Sequence, residues 1–209
     1  MNYKLSILFI LLPIWLFGQD NLSKLGIQSN QDFDLSALEI GELAPDFTAV
    51  DQRGNEVVLS EILKNSQVAL IFYRGYWCSI CSRHLKAFEE ELYKLKDQGI
   101  EVIAITPESY ENVRKTIEKT SISIPVVSDR DLSIMINYKV AFSVTEDYQE
   151  KIRQYLSADI SEINGMDDAV LPVPATYLIG QDQKIKFAHF DPDYKNRASV
   201  SDILKYANE

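Results

Sequence analysis

The sequence predicts an α/β domain with a central mixed sheet flanked by helices. Three observations predict it. An apolar, β-branched run, Val68 to Tyr73, passes through a glycine turn into a helical pattern carrying the only two cysteines of the 209-residue chain. Strands and amphipathic helices alternate downstream, as they do where crossover helices link the strands of a sheet. The chain then closes with a proline-led strand, a turn, a second strand and a helix. Residues 143 to 171 break this rhythm and read as a helical insertion near the site.

Taken in order, residues 1–19 read as a signal peptide. Lys4 supplies the positive end, Leu5 to Phe17 the apolar segment interrupted by Pro13, and Leu16 and Gly18 a cleavage point. The apolar run falls short of the ~20 residues a spanning helix needs. The expectation is an exported protein, periplasmic or otherwise extracytoplasmic, with no stable membrane insertion once the signal is removed. Residues 20–40 read as a loosely packed N-terminal extension, and 41–209 as the folded domain.

Phe47 to Val50 and Glu56 to Leu59 flank Gln52-Arg53-Gly54-Asn55, a hairpin signal. The central helical pattern runs from Ser79 through Leu85, Phe88, Leu92 and Leu95 until Gly99 stops it. Glu101 to Thr106 is a second buried strand. Ser109 to Lys119 is a helix with Val113 and Ile117 inward, Val126-Val127 a short strand, and Asp131 to Tyr138 a helix. Thr145 to Leu156 has helical spacing, whereas Gly165 and Asp167-Asp168 suggest a loop. Ala175 to Ile179 and Lys184 to Phe190 are strands joined at Gly180 to Gln183, and Val200 to Ala207 is the closing helix.

The chemistry concentrates at Cys78 and Cys81. A thiol at the start of a helix faces the positive end of the dipole and unpaired N–H groups, which favours the nucleophilic thiolate. Two cysteines one turn apart can cycle between dithiol and disulfide. Zinc would need a second Cys or His pair, which His84 and His189 do not supply, so no metal is expected. A purely structural disulfide closing so short a loop would stabilise little. Trp77 reads as core or as part of the site, and Arg74 as a solvated loop charge or as a cation beside sulfur. His84 reads as a helix-surface residue, and His189 and Asp191 as parts of a structural turn. The net charge of −10 argues against nucleic acid and anionic membrane surfaces as partners.

Four segments occur in a telling order: Ala44-Pro45-Asp46-Phe47; Ser128-Asp129 followed by Leu132 and Tyr138; Ala175-Thr176-Tyr177-Leu178-Ile179; and the tail from Phe187 to Arg197. With them, Gly41 to Asn208 resembles the thioredoxin superfamily and, within it, the peroxiredoxins of the alkyl hydroperoxide reductase/thiol-specific antioxidant family. The resemblance implies a thioredoxin-like fold. Against the family's F-Y-P-x-x-x-T-x-x-C pattern, Phe72-Tyr73 is kept, Arg74 replaces the proline, Cys78 replaces the threonine, and Cys81 takes the peroxidatic position. Pro174 stands where the family has its catalytic arginine. A proline there resembles thioredoxins, in which it faces the C-x-x-C, usually in the cis form. Pro174, Trp77 and Arg74 are therefore the expected substrate-binding residues, with a cis Val173–Pro174 bond packed on the cysteine pair.

The resemblance implies a thiol peroxidase that needs no cofactor. A thiolate attacks hydrogen peroxide or an organic hydroperoxide and becomes a sulfenic acid, the second thiol condenses with it to a disulfide, and a thioredoxin-like protein restores the dithiol. By family position Cys81 attacks and Cys78 resolves. By thioredoxin logic the roles reverse, and the protein is an extracytoplasmic thiol–disulfide oxidoreductase acting on protein cysteines.

Overall fold

Gly54, at φ +85°, turns the chain between two short runs that pair as the sequence predicts. β1 (Thr48–Val50) and β2 (Glu56–Val58) are antiparallel, and α1 (Leu59–Leu63) follows directly. The structure is a computed structural model that describes residues 21–29 and 32–207. The expected signal segment, 1–19, lies outside the described residues.

The run Val68 to Phe72 has no polar side chain, so both its faces belong in a core. It forms β3 (Gln67–Phe72), the middle strand of a five-stranded sheet. Beside it lies β4 (Ile100–Thr106), parallel to β3, and then β5 (Val126–Ser128), parallel to β4. On the other side lie β8 (Ala175–Ile179) and β9 (Ile185–Phe190), antiparallel to β3 and to β8 respectively. The sheet is therefore mixed. Alternate residues of β3 enter different cores: Ala69, Ile71 and Tyr73 pack with Leu85, Phe88 and Leu95, whereas Val68, Leu70 and Phe72 pack with Leu59, Tyr138 and Tyr177. On that second face Phe72 meets Tyr138 and Tyr177 at ring distances of 5.4 and 6.2 Å. Tyr138 donates its buried hydroxyl to the Pro45 carbonyl.

The helices differ from expectation in instructive ways. The central helix is two: α2 (Ser79–Glu90) and α3 (Leu92–Lys96), separated by Glu91 at φ −106°, ψ 7°. Leu85, Phe88, Leu92 and Leu95 all stay buried across the break, so the apolar spacing carries no sign of it. α4 (Tyr110–Thr120) and α5 (Ser133–Asn137) follow β4 and β5. The insertion begins and ends in strands, β6 (Ala141–Ser143) paired antiparallel with β7 (Val170–Pro172). Between them lie α6 (Glu146–Leu156) and α7 (Ile160–Asn164), the latter in a stretch without a helical reading in the sequence. Asp159 caps α7, accepting the Glu162 N–H, and Gly165 ends it at φ +66°. The closing helix is α8 (Val200–Leu204).

The extension is not loosely packed. Ile27 and Leu38 are buried, Ile27 bridges Val144, and the Leu38 N–H donates to the Tyr177 hydroxyl. Scattered apolar residues without a period carry no secondary-structure signal, yet Leu22, Ile27, Phe33, Leu35 and Leu38 all pack against the two cores.

Candidate active site

The β3 strand delivers the chain to Arg74 and Gly75, and α2 starts five residues after the strand turn begins. Gly75 is at φ +146°, and its missing Cβ makes room: a Cβ there would lie 2.7 Å from Trp77 Nε1 and 2.9 Å from Glu108 Oε1. Cys78 is the N-cap of α2, its sulfur accepting the Cys81 N–H at 3.2 Å. Cys78 and Cys81 form a disulfide with Cα atoms 5.3 Å apart. Both are buried, Cys78 at 3% exposure and Cys81 at 0%.

Each sulfur has its own guanidinium. Arg74 is not a solvated loop charge, being 3% exposed. Its Nη2 donates to Cys78 Sγ at 3.4 Å and its Nη1 to the Tyr148 hydroxyl at 2.8 Å. It lies 3.7 Å from the Tyr194 ring centre and 5.1 Å from that of Trp77, so aromatic faces replace the water such a cation would lose. Arg197 donates through Nη2 to Cys81 Sγ at 3.4 Å and through Nε to the Tyr194 carbonyl at 2.7 Å. Burial, helped by the charge of Arg74, pushes its pKa down from the ordinary arginine range to about 9, which leaves it a cation at neutral pH. Two cations and a helix N-terminus around one disulfide form a setting that favours thiolates once the bond is reduced.

Polar groups behind the turn fix it. The Glu108 carboxylate accepts the Tyr76 N–H at 2.8 Å and the Thr116 hydroxyl at 3.0 Å. Its backbone carbonyl accepts the Ser128 hydroxyl. Burial raises the Glu108 pKa above the ordinary 4.5. Asp191 holds the tail turn, accepting the Asp193 N–H and the Asn196 amide, both at 2.8 Å, and so places Tyr194 and Arg197.

The structure gathers Arg74, Trp77, Cys78 and Cys81 in one site. Pro174 is buried at the same end of the sheet, where the β3–β8 register, continued by two residues, sets it opposite Tyr73. The expected cis bond is not there, because the described residues contain no cis peptide. The Val173 N–H donates to the Val140 carbonyl at 2.8 Å, and the trans form is the intrinsically favoured one. A substrate groove of the thioredoxin type loses that support. Two further corrections concern the histidines. His84 is buried, not on the helix surface; its Nε2–H donates to the Ala198 carbonyl at 2.8 Å, and burial lowers its pKa from 6.5 to about 4. His189 lies in β9 opposite Thr176 and not in a turn.

Sequence reasoning missed Arg197, Tyr148, Tyr194 and Glu108 as site residues. Arg197 lay within a segment quoted for family likeness, and no local pattern pointed it at a cysteine 116 positions away.

Residues 40–188 match the AhpC/TSA family. Among curated proteins, a thiol-disulfide oxidoreductase ResA from Geobacillus kaustophilus (strain HTA426) is 34% identical over 116 residues, covering 54% of this chain and 65% of that protein. The chain thus spans just under two thirds of that relative's length. Among solved structures, peroxidoxin BcpB from Mycobacterium tuberculosis aligns with a TM-score of 0.61 at 18% identity, over 81% of this chain and 94% of that one. The thioredoxin domain of a thiol-disulfide oxidoreductase from Bacteroides vulgatus aligns at 0.56 and 19%, over 82% and 100%. These two likenesses show the thioredoxin-like fold, and the match over 40–188 shows that the chain belongs to the AhpC/TSA family.

Proposed function

We propose that this protein is an extracytoplasmic thiol–disulfide oxidoreductase acting on cysteines of other proteins. The observation that carries the reading is the Cys78–Cys81 disulfide seated at the N-terminus of α2 with Arg74 on Cys78 Sγ. In the reduced protein Cys78, as thiolate, attacks one sulfur of a substrate disulfide and expels the other as a thiolate. Cys81 then attacks Cys78 Sγ, releases the substrate's second thiol and closes the internal disulfide. Two electrons pass to the substrate, and a thioredoxin-like dithiol protein returns them. The leader-like residues 1–19 support a site outside the cytoplasm, where a lone pair stays reduced only if another protein reduces it. The name of the ResA relative supports exchange over peroxide chemistry and reverses the order that the scaffold resemblance implied. The test is reduction of insulin disulfides coupled to a thioredoxin system. Turnover above that of the thioredoxin system alone is expected from the parent chain and none from Cys78→Ser; a Cys78→Ser chain that keeps the full excess contradicts the proposal.

A second reading, peroxidase, is favoured by one observation: the Arg197 guanidinium on Cys81 Sγ. Cys81 holds the family's peroxidatic position, and Arg197 supplies the cation that Pro174 cannot. On this reading hydrogen peroxide is consumed, and dimedone labels Cys81 in the Cys78→Ser variant. No labelling and no peroxide turnover would remove it.

A further inference from the structure

The insertion reaches into the redox site through one side chain. Tyr148, on α6, accepts the Nη1–H of Arg74 at its hydroxyl, while the other end of the same guanidinium rests on Cys78 Sγ. A planar guanidinium held at both ends cannot turn away from the sulfur. Tyr148 is itself backed from behind. The Gly26 α-carbon presses on its ring, where a Cβ would come 2.5 Å from Cγ. The Gly26 carbonyl accepts the Thr145 N–H at 2.8 Å, and Ile27 bridges Val144. The N-terminal segment thus lies against Tyr148, Tyr148 against Arg74, and Arg74 against Cys78.

We propose that Tyr148 is a positioning residue of the redox site: its hydroxyl holds the Arg74 guanidinium on Cys78 Sγ, so that the insertion sets the acidity of the Cys78 thiol and the stability of the reduced pair. The inference rests on the reading of Cys78 and Cys81 as a redox couple. Reduction by glutathione converts the protein disulfide and two glutathione thiols into the protein dithiol and glutathione disulfide, with two electrons and two protons transferred. A cation 3.4 Å from Cys78 Sγ stabilises the thiolate, and with it the reduced side of that equilibrium. Without the Tyr148 hydroxyl, Nη1 loses its partner beside an Nε that already has none, and the buried guanidinium turns toward other acceptors. The other charged group on the pair is Arg197, and the Tyr194 ring lies under Arg74 with its hydroxyl against that of Tyr148; Glu108 sits behind the turn and His84 along α2. A merely adhesive Tyr148 would change stability and leave the thiol untouched.

The test uses the full chain carrying Cys81→Ser, with Cys78 alkylated by iodoacetamide between pH 4 and 9. Adding Tyr148→Phe is expected to move the midpoint upward and slow alkylation at pH 6 by roughly three- to tenfold, tenfold being one pKa unit. Arg74→Gln is expected to do at least as much, and the double variant no more than Arg74→Gln alone. With both cysteines present, Tyr148→Phe is expected to shift the glutathione equilibrium toward the disulfide by a similar factor. An unshifted pH profile, an unshifted equilibrium, or effects that add in the double variant overturn the proposal. Should the phenylalanine variant fail to fold, Gly26→Ala displaces the same ring without removing a hydroxyl, and an unshifted profile there also overturns it. Neither readout needs a protein substrate. A chain that shows the shift but does not reduce insulin loses the proposed function and keeps this inference.

Discussion

Gly75 shows how tightly single residues define the site. Its φ of +146° is open to glycine and costly for any other residue, and its α-carbon leaves no room for a side chain between Trp77 and Glu108. Gly75→Ala is expected to destabilise the protein by about 2–4 kcal/mol, read from a urea midpoint, and to change tryptophan emission as the Trp77 ring moves. An alanine variant within 0.5 kcal/mol of the parent, roughly the scatter of neutral surface changes, would show that the turn has slack. At this scale the sequence exposed half of the site. Cys78, Cys81, Trp77 and Arg74 sit within eight residues and announce themselves by spacing. Tyr148 and Arg197 bond to Arg74 and Cys81 across 74 and 116 positions, and only tertiary folding brings them there.

Elements were legible where one period governed them. The β3 run and the hairpin at Gly54 declare themselves through an unbroken apolar stretch and turn chemistry. Helix ends did so less well, because several are closed by residues that give no warning. Ser121 ends α4 at φ +57° and Ser157 ends α6 at φ +50°, both in the left-handed conformation that glycine adopts without steric cost. Ser157→Gly should therefore relieve strain at the end of the insertion helix and stabilise the protein by roughly 0.5–1 kcal/mol, net of the entropy glycine adds to the unfolded chain. A lower thermal midpoint in that variant would mean that Ser157 makes a compensating contact. α7 escaped notice for a related reason: its Asp159 cap and Gly165 stop were both visible, but five residues are too few to show a helical period.

Across the whole molecule, two buried titrating groups oppose each other. Burial lowers the His84 pKa from 6.5 to about 4, so the unfolded chain takes up the extra proton first. The stability His84 contributes is present above pH 6.5 and is lost as pH falls to about 4. Burial raises the Asp129 pKa from 3.8 to about 6, so the folded chain holds that proton longer. Its contribution is present below pH 3.8 and is lost as pH rises to about 6. Each effect is on the order of 3 kcal/mol, and between pH 4 and 6 they largely cancel. Relative to the parent chain, urea midpoints across that window should therefore rise more steeply with pH in Asp129→Asn and less steeply in His84→Gln, where the amide can still donate to the Ala198 carbonyl. Parallel profiles in all three chains would contradict this pairing. The same long-range assembly brings the extension, the insertion and the tail to one disulfide, and it is what a linear reading sees least. The central claim, that Cys78 is the thiol that exchanges with partner cysteines, is tested most directly by trapping. The Cys81→Ser chain is mixed with a peptide disulfide and examined by non-reducing mass spectrometry. A thiol–disulfide oxidoreductase of this design predicts a stable mixed disulfide on Cys78, whereas no adduct in Cys81→Ser, together with an adduct on Cys81 in Cys78→Ser, would contradict it.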